Sequence, residues 1–147
     1  DAFVEAEAII RRALAMEKGE PDEEVAIRMN NLGTILQSQR APEKRAEAER
    51  LFNQSVAIMK KLHGEINARV ATGYNNIGHL QMEQGMFPEA EEHFRKALRI
   101  DQTLHPTPGN VDWDDHEPHE SLARDMSNLA TVLTYQSVVI LQKAFLD

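Results

Sequence analysis

The 147-residue chain carries no cysteine and a formal net charge of −8 at pH 7, with 41% hydrophobic, 27% charged and 5% aromatic residues. The lack of cysteine excludes a disulfide scaffold, a cysteine-ligated zinc finger and a thiol nucleophile, and the acidic balance argues against nucleic acid or an anionic membrane as a general partner. With no signal peptide and no run of about eighteen apolar residues, the chain is expected to be cytoplasmic, single-domain and without a membrane span.

Strand-like alternation is absent, so the elements are read as helices throughout. Residues 3–18 have an apolar face of Phe3, Ala6, Ile9, Ile10, Ala13 and Leu14, and Gly19 ends the helix. This first stretch, 1–18, is read as the orphan second helix of a hairpin, a piece of a longer array. Pro21, Asp22, Glu23 and Glu24 open the next helix with acid at its positive end. A first hairpin covers 22–62, built from helices at 22–39 and 42–62, the latter turning Ala48, Leu51, Phe52, Val56 and Ile58 inward. A second covers 66–104, with helices at 66–84 and 87–104; Gly85 breaks the first, and Pro88 suits the opening turn of the other. Residues 105–118 read as an inserted loop holding three of the six prolines and the only tryptophan. A partial third hairpin follows over 119–147, its first helix marked by Leu122, Met126, Leu129, Ala130 and Leu133. Beyond Gln136 two courses stay open. The apolar run at 137–141 has no glycine or proline before it, so it either prolongs that helix or forms a truncated second one.

The hairpins repeat. Ala6, Ala48 and Ala90 stand 42 residues apart, as do Ile10, Phe52 and Phe94, and Ala13, Ser55 and Ala97. The first helices repeat as Asn30-Asn31-Leu32-Gly33, Asn75-Asn76-Ile77-Gly78 and Ser127-Asn128-Leu129-Ala130. Small residues at these spacings let two helices approach closely while the aromatics fill the gap. Changes in spacing between the units are assigned to loops. Fixed-period similarity of this length predicts an all-α solenoid, a superhelix of antiparallel helical hairpins.

The alanine–aromatic–alanine pattern of the second helix, with Leu-Gly or Ile-Gly in the first, resembles the tetratricopeptide repeat. The 42-residue period and the Asn-Asn-Leu/Ile-Gly opening are similar to its longer variety, found in kinesin light chains and nephrocystin-type proteins. The resemblance implies a non-enzymatic adaptor that holds an extended peptide segment of another protein on a concave face lined by the first helices. The corresponding positions here are Asn30, Thr34 and Gln37, then Asn75, His79 and Met82, then Ser127, Thr131 and Thr134, with Arg124 nearby. An amide donates and accepts at once, which suits a peptide backbone without demanding a side-chain type. Such a groove needs Asn30 and Asn75 exposed, whereas Asn31, Asn76 and Asn128 are assigned to bridging between helices. The alternative is a structural or self-associating segment, whose uncovered faces at 3–14 and 138–146 pair with a neighbour.

Departures from the family narrow the ligand. Repeat proteins that clamp a chaperone's carboxylate use Lys or Arg where this chain has Asn30, Asn75 and Ser127, and Asn where it has Thr34 and His79, so no such clamp is expected. Kinesin light chains bind acidic, tryptophan-bearing cargo through basic groove residues. Here only Arg28, Arg69 and Arg124 are basic near the right faces, and only Arg124 falls in the groove. Asp112, Asp114, Asp115, His116, Glu117, His119 and Glu120 match no calcium loop, and Pro118 interrupts any helical zinc spacing, so they read as a solvated acidic loop. Trp113 is expected to anchor that loop on the solenoid. No phosphate loop, nucleophile elbow or kinase set is present, and no cofactor or metal is expected. His79, facing the groove, predicts ligand affinity that changes between about pH 6 and 7.5.

Overall fold

The computed structural model describes residues 2–106 and 119–145. It consists of six α-helices in chain order: α1 (Ala2–Met16), α2 (Glu23–Ser38), α3 (Pro42–His63), α4 (Ala68–Glu83), α5 (Phe87–Leu104) and α6 (Glu120–Ala144). Each helix packs on the next, and α2, α4 and α6 also touch as a row. This is an all-α solenoid of antiparallel hairpins.

The helix ends follow from local chemistry. Asp22 Oδ1 accepts the Val25 N–H at 2.9 Å, and Asn67 Oδ1 accepts the Arg69 N–H at 2.8 Å, each meeting a donor that the first turn leaves unpaired. Pro42 and Pro88 occupy the opening turns of α3 and α5. The turn between α4 and α5 needs a left-handed residue, and Gly85 supplies it at φ 76°. At the same place between α2 and α3 stands Arg40, at φ 54°. A side chain there costs about 1–2 kcal/mol, which the two packed helices must offset.

Within the first two hairpins the spacing differences lie in helix length, whereas the connections between hairpins also differ, the longest being the stretch 105–119 between α5 and α6. The turns at 39–41 and 84–86 are equally short, while α3 has 22 residues against 18 in α5. The extra residues before Ala48 form an added helical turn at the start of α3. Inside the hairpin the expectation of a longer loop fails, because a turn added to a helix end keeps the inward face in register.

Inside each hairpin the close approach is literal. A Cβ on Gly33 would stand 2.5 Å from Phe52 Cε1, and one on Gly78 would stand 2.7 Å from Phe94 Cε1. Both rings, together with Ala48, Ala90 and Ala97, are fully buried. Ser55, the register partner of Ala13 and Ala97, donates its hydroxyl to the Ala26 carbonyl at 2.6 Å. One apolar cluster runs through α2 to α5, with Ile10 and Leu14 of α1 against it. A second joins Ala90, Phe94 and Val132, with Met82, Phe87 and Leu129 at its margin.

The two end helices are less covered. No residue of α1 is fully buried, and Phe3 and Ile9 stay exposed. Polar contacts hold α1 instead: Glu7 accepts Lys44 Nζ at 2.7 Å and Gln39 Nε2 at 2.6 Å, while Arg11 forks onto Glu47 at 2.6 and 2.8 Å. At the other end, α6 is one helix of 25 residues running straight through Tyr135 and Ser137, which settles the course beyond Gln136. Its counterpart of Gly33 and Gly78, Ala130, is exposed because no second helix folds back on it among the described residues.

Candidate functional site

The first helices lie side by side, which brings the expected groove positions into one row. The asparagines within it are mostly engaged with one another. Asn76 Nδ2 of α4 donates to Asn30 Oδ1 of α2 at 2.9 Å, and Asn128 Nδ2 of α6 donates to Asn75 Oδ1 at 3.0 Å. Asn76 and Asn128 thus bridge neighbouring helices as expected. Asn31, one register step earlier, is exposed.

Asn75 departs from expectation. It is only 4% exposed, because α6 lays Asp125 and Asn128 across it. Its Nδ2 donates to Asp125 Oδ1 at 2.6 Å, so both ends of the amide are occupied. Asn30, with no carboxylate over it, is half-buried. Thr34, Thr131 and Thr134 are exposed, and their hydroxyls bond back to the carbonyls of Asn30, Ser127 and Ala130 at 3.2, 2.8 and 2.8 Å. Ser127 is exposed. Gln37 Nε2 donates to Glu83 Oε1 at 2.9 Å and ties α2 to α4.

Arg124, the one basic groove position, turns toward two acids of the core. Its guanidinium lies 3.5 Å from Asp101 Oδ2 and 3.4 Å from Asp125 Oδ1. Both aspartates are buried, at 1% and 0% exposure. Burial is the main reason that the Asp125 carboxyl is pushed up to about 6; the Asn75 amide opposes it, Asp101 adds to it, and Arg124 opposes it. Sequence reasoning missed this pair. The register position occupied by Asp125 holds Arg28 in α2 and Gly73 in α4, so periodicity marks nothing unusual there.

Around His79 and Met82 the surface becomes aromatic. His79 sets its ring edge-on against Phe94, centroids 5.1 Å apart. This partial desolvation lowers its pKa, Glu83 opposing and Arg124 assisting, so its titration moves to the acid side of the expected range. Phe87 and Tyr135 stack in parallel at 5.6 Å across the gap between α5 and α6. His79, Met82, Glu83, Phe87 and Tyr135 together line an open notch beside the row. Neither Phe87 nor Tyr135 was singled out as a site residue from sequence; an exposed tyrosine on a first helix was the available signal.

Among the described residues no group of three or more His, Asp or Glu side chains could hold a metal ion, and no helix is long and apolar enough to cross a membrane. Asp112, Trp113, Asp114, Asp115, His116 and Glu117 lie outside the described residues. His119 caps α6 and stacks on His105, ring centroids 3.5 Å apart.

Residues 43–103 match a family model described as tetratricopeptide repeat. The crystal structure of BtubC (BKLC) from P. vanneervenii is similar at 26% identity and a TM-score of 0.62, covering 97% of this chain and 69% of that one. No curated protein matches. The Gly–Phe crossings of α2 with α3 and α4 with α5, the row of first helices, the match over residues 43–103 and the structural neighbour together support a tetratricopeptide-repeat solenoid, a fold that serves in protein–protein interaction.

Proposed function

We propose that the chain is a cytoplasmic, non-enzymatic adaptor that takes up an extended segment of another protein along the row formed by α2, α4 and α6. The observation that carries this reading is the alignment of Thr34, His79, Ser127 and Thr131, all exposed, on three helices in a row, with α4 touching both α2 and α6. Asn30 remains reachable at one end of the row, while Asn75 acts by holding the helices in place. Affinity would sum over the units, from shape and from hydrogen bonds to the ligand backbone. Kinesin-light-chain-like recognition of acidic cargo finds little support, since Arg124 is already paired with Asp101 and Asp125. Panning a peptide library on the wild-type chain, then measuring the selected peptides on the Thr34→Arg/Thr131→Arg double variant, tests the proposal. The bulky exposed substitutions are expected to abolish binding without lowering the melting temperature; unchanged binding would place the ligand elsewhere.

A second reading, a structural or self-associating segment, rests on one strip. Ala123, Ala130 and Leu133 of α6 are exposed, whereas their register partners Ala26, Gly33 and Leu36 of α2 are buried; Met126 is exposed and its partner Met29 half-buried. Sedimentation velocity over a hundredfold concentration range separates the two. A monomer throughout favours the adaptor, and a concentration-dependent dimer favours pairing through this strip.

A further inference from the structure

The notch between α4, α5 and α6 has walls of one kind and a rim of another. Met82 and Phe87 are half-buried at the margin of the second apolar cluster, and Tyr135, 51% exposed, stacks on Phe87. His79 completes the wall with its ring held against Phe94. Aromatic faces offer stacking and edge contacts to an incoming side chain, and a thioether adapts to its shape. These groups leave room among themselves and open onto the row where Gln37 and His79 stand.

The charge at the rim is negative and unpaired. Glu83 is exposed, accepts only the Gln37 amide, and makes no ion pair among the described residues. The other charged groups nearby are already occupied. Glu91 accepts Gln136 Nε2 at 3.0 Å and pairs with Arg95, and Arg124 is held by Asp101 and Asp125. Desolvation lowers the pKa of His79 and so favours its neutral form. A free carboxylate beside an aromatic surface suits a cation twice over, by charge and by the face of the tyrosine ring.

We propose that this notch is the selective pocket of the groove: it takes one large apolar side chain of the partner segment, and Glu83 pairs with a Lys or Arg next to it. The inference rests on the row being the peptide surface and adds the chemistry of the ligand, a basic–apolar segment rather than an acidic one.

The test uses labelled peptides of one Gly/Ser frame that carry Lys-Leu-Lys, Lys-Phe-Lys, Glu-Leu-Glu or Lys-Ala-Lys at the centre, titrated by fluorescence polarisation. Methyl-labelled methionine reports whether Met82 shifts. The Lys peptides with Leu or Phe are expected to bind about fivefold or more tighter than the Glu peptide, the size of one partly exposed ion pair, to bind tighter than the Ala peptide by a similar factor through the buried apolar side chain, and to shift Met82. Glu83→Lys should reverse the charge preference, and Tyr135→Ala should erase the apolar one. Equal binding of Lys and Glu peptides, or a preference untouched by Glu83→Lys, overturns the proposal. If the peptides bind without preference and Thr34→Arg/Thr131→Arg removes binding, the groove stands and the pocket falls. If the preference appears but survives that double substitution, the pocket stands and the extended groove falls. No binding by any peptide overturns both.

Discussion

Exchanging Gly78 for alanine tests whether the hairpin is held by close approach or by helix propensity. In an open helix interior the exchange stabilises by about 1 kcal/mol, because glycine loses more backbone entropy on folding. At Gly78 the new Cβ would stand 2.7, 2.9 and 3.0 Å from three carbons of the Phe94 ring. Carbon contacts normally rest at about 3.5–4.0 Å. The ring must therefore retreat by most of an ångström, and it is fully buried with His79 against it. Overpacking of this kind costs about 1–3 kcal/mol, so after the propensity gain of about 1 kcal/mol the net effect is a loss of up to about 2 kcal/mol. Urea unfolding followed by far-UV circular dichroism reads it as a lower midpoint. Ala130→Gly serves as the mirror control: Ala130 is exposed, so glycine there should lose about 1 kcal/mol from propensity alone. Adding Phe94→Leu to Gly78→Ala should restore part of the loss, a coupling that independent sites do not show. A Gly78→Ala protein with a raised midpoint would refute the reasoning.

Asp125 makes stability depend on pH in a sense opposite to most carboxylates. Its folded pKa, about 6, lies above its ordinary value, so its contribution is full below about pH 4 and is lost as pH rises through about 6. Asp125→Asn should therefore add about 1–3 kcal/mol at pH 8 and little at pH 4, a comparison made by urea titration at both values; an equal gain at both would count against the buried charge. Glu7 works the other way. Hydrogen bonds from Lys44 and then Gln39 hold it down to about 2, so its contribution is present above its ordinary range and fades as pH falls through about 2. Glu7→Gln should cost about 1 kcal/mol at pH 7, with faster hydrogen exchange confined to α1; a uniform increase along the chain would contradict a local role. Asn75→Ala strips the donor from Asp125 and the acceptor from Asn128, for a loss of about 2–4 kcal/mol, measured as a melting-temperature drop that Asp125→Asn in the same chain should reduce.

The 42-residue register was enough to identify the solenoid, because Gly33 with Phe52 and Gly78 with Phe94 are local pairs joined by a short turn. The register says which face a residue occupies. It does not say what lies across from it. Asn30 and Asn75 hold identical positions, yet one is half-buried and the other closed over, and the difference is made by Asp125, fifty residues further on. The course of the chain after Gln136 was undecidable for a related reason. Glycine marks the turn at Gly85, but Arg40 makes the same turn at φ 54°, so the lack of glycine near Ser137 could neither exclude a turn nor require a helix. What separates the cases is cover: α3 buries Ala48, Leu51 and Phe52 on α2, whereas the residues after Gln136 have no such alternation of small and aromatic residues to bury on α6. A turn against propensity forms where the second helix has a face to offer, and α6 runs on where it has none.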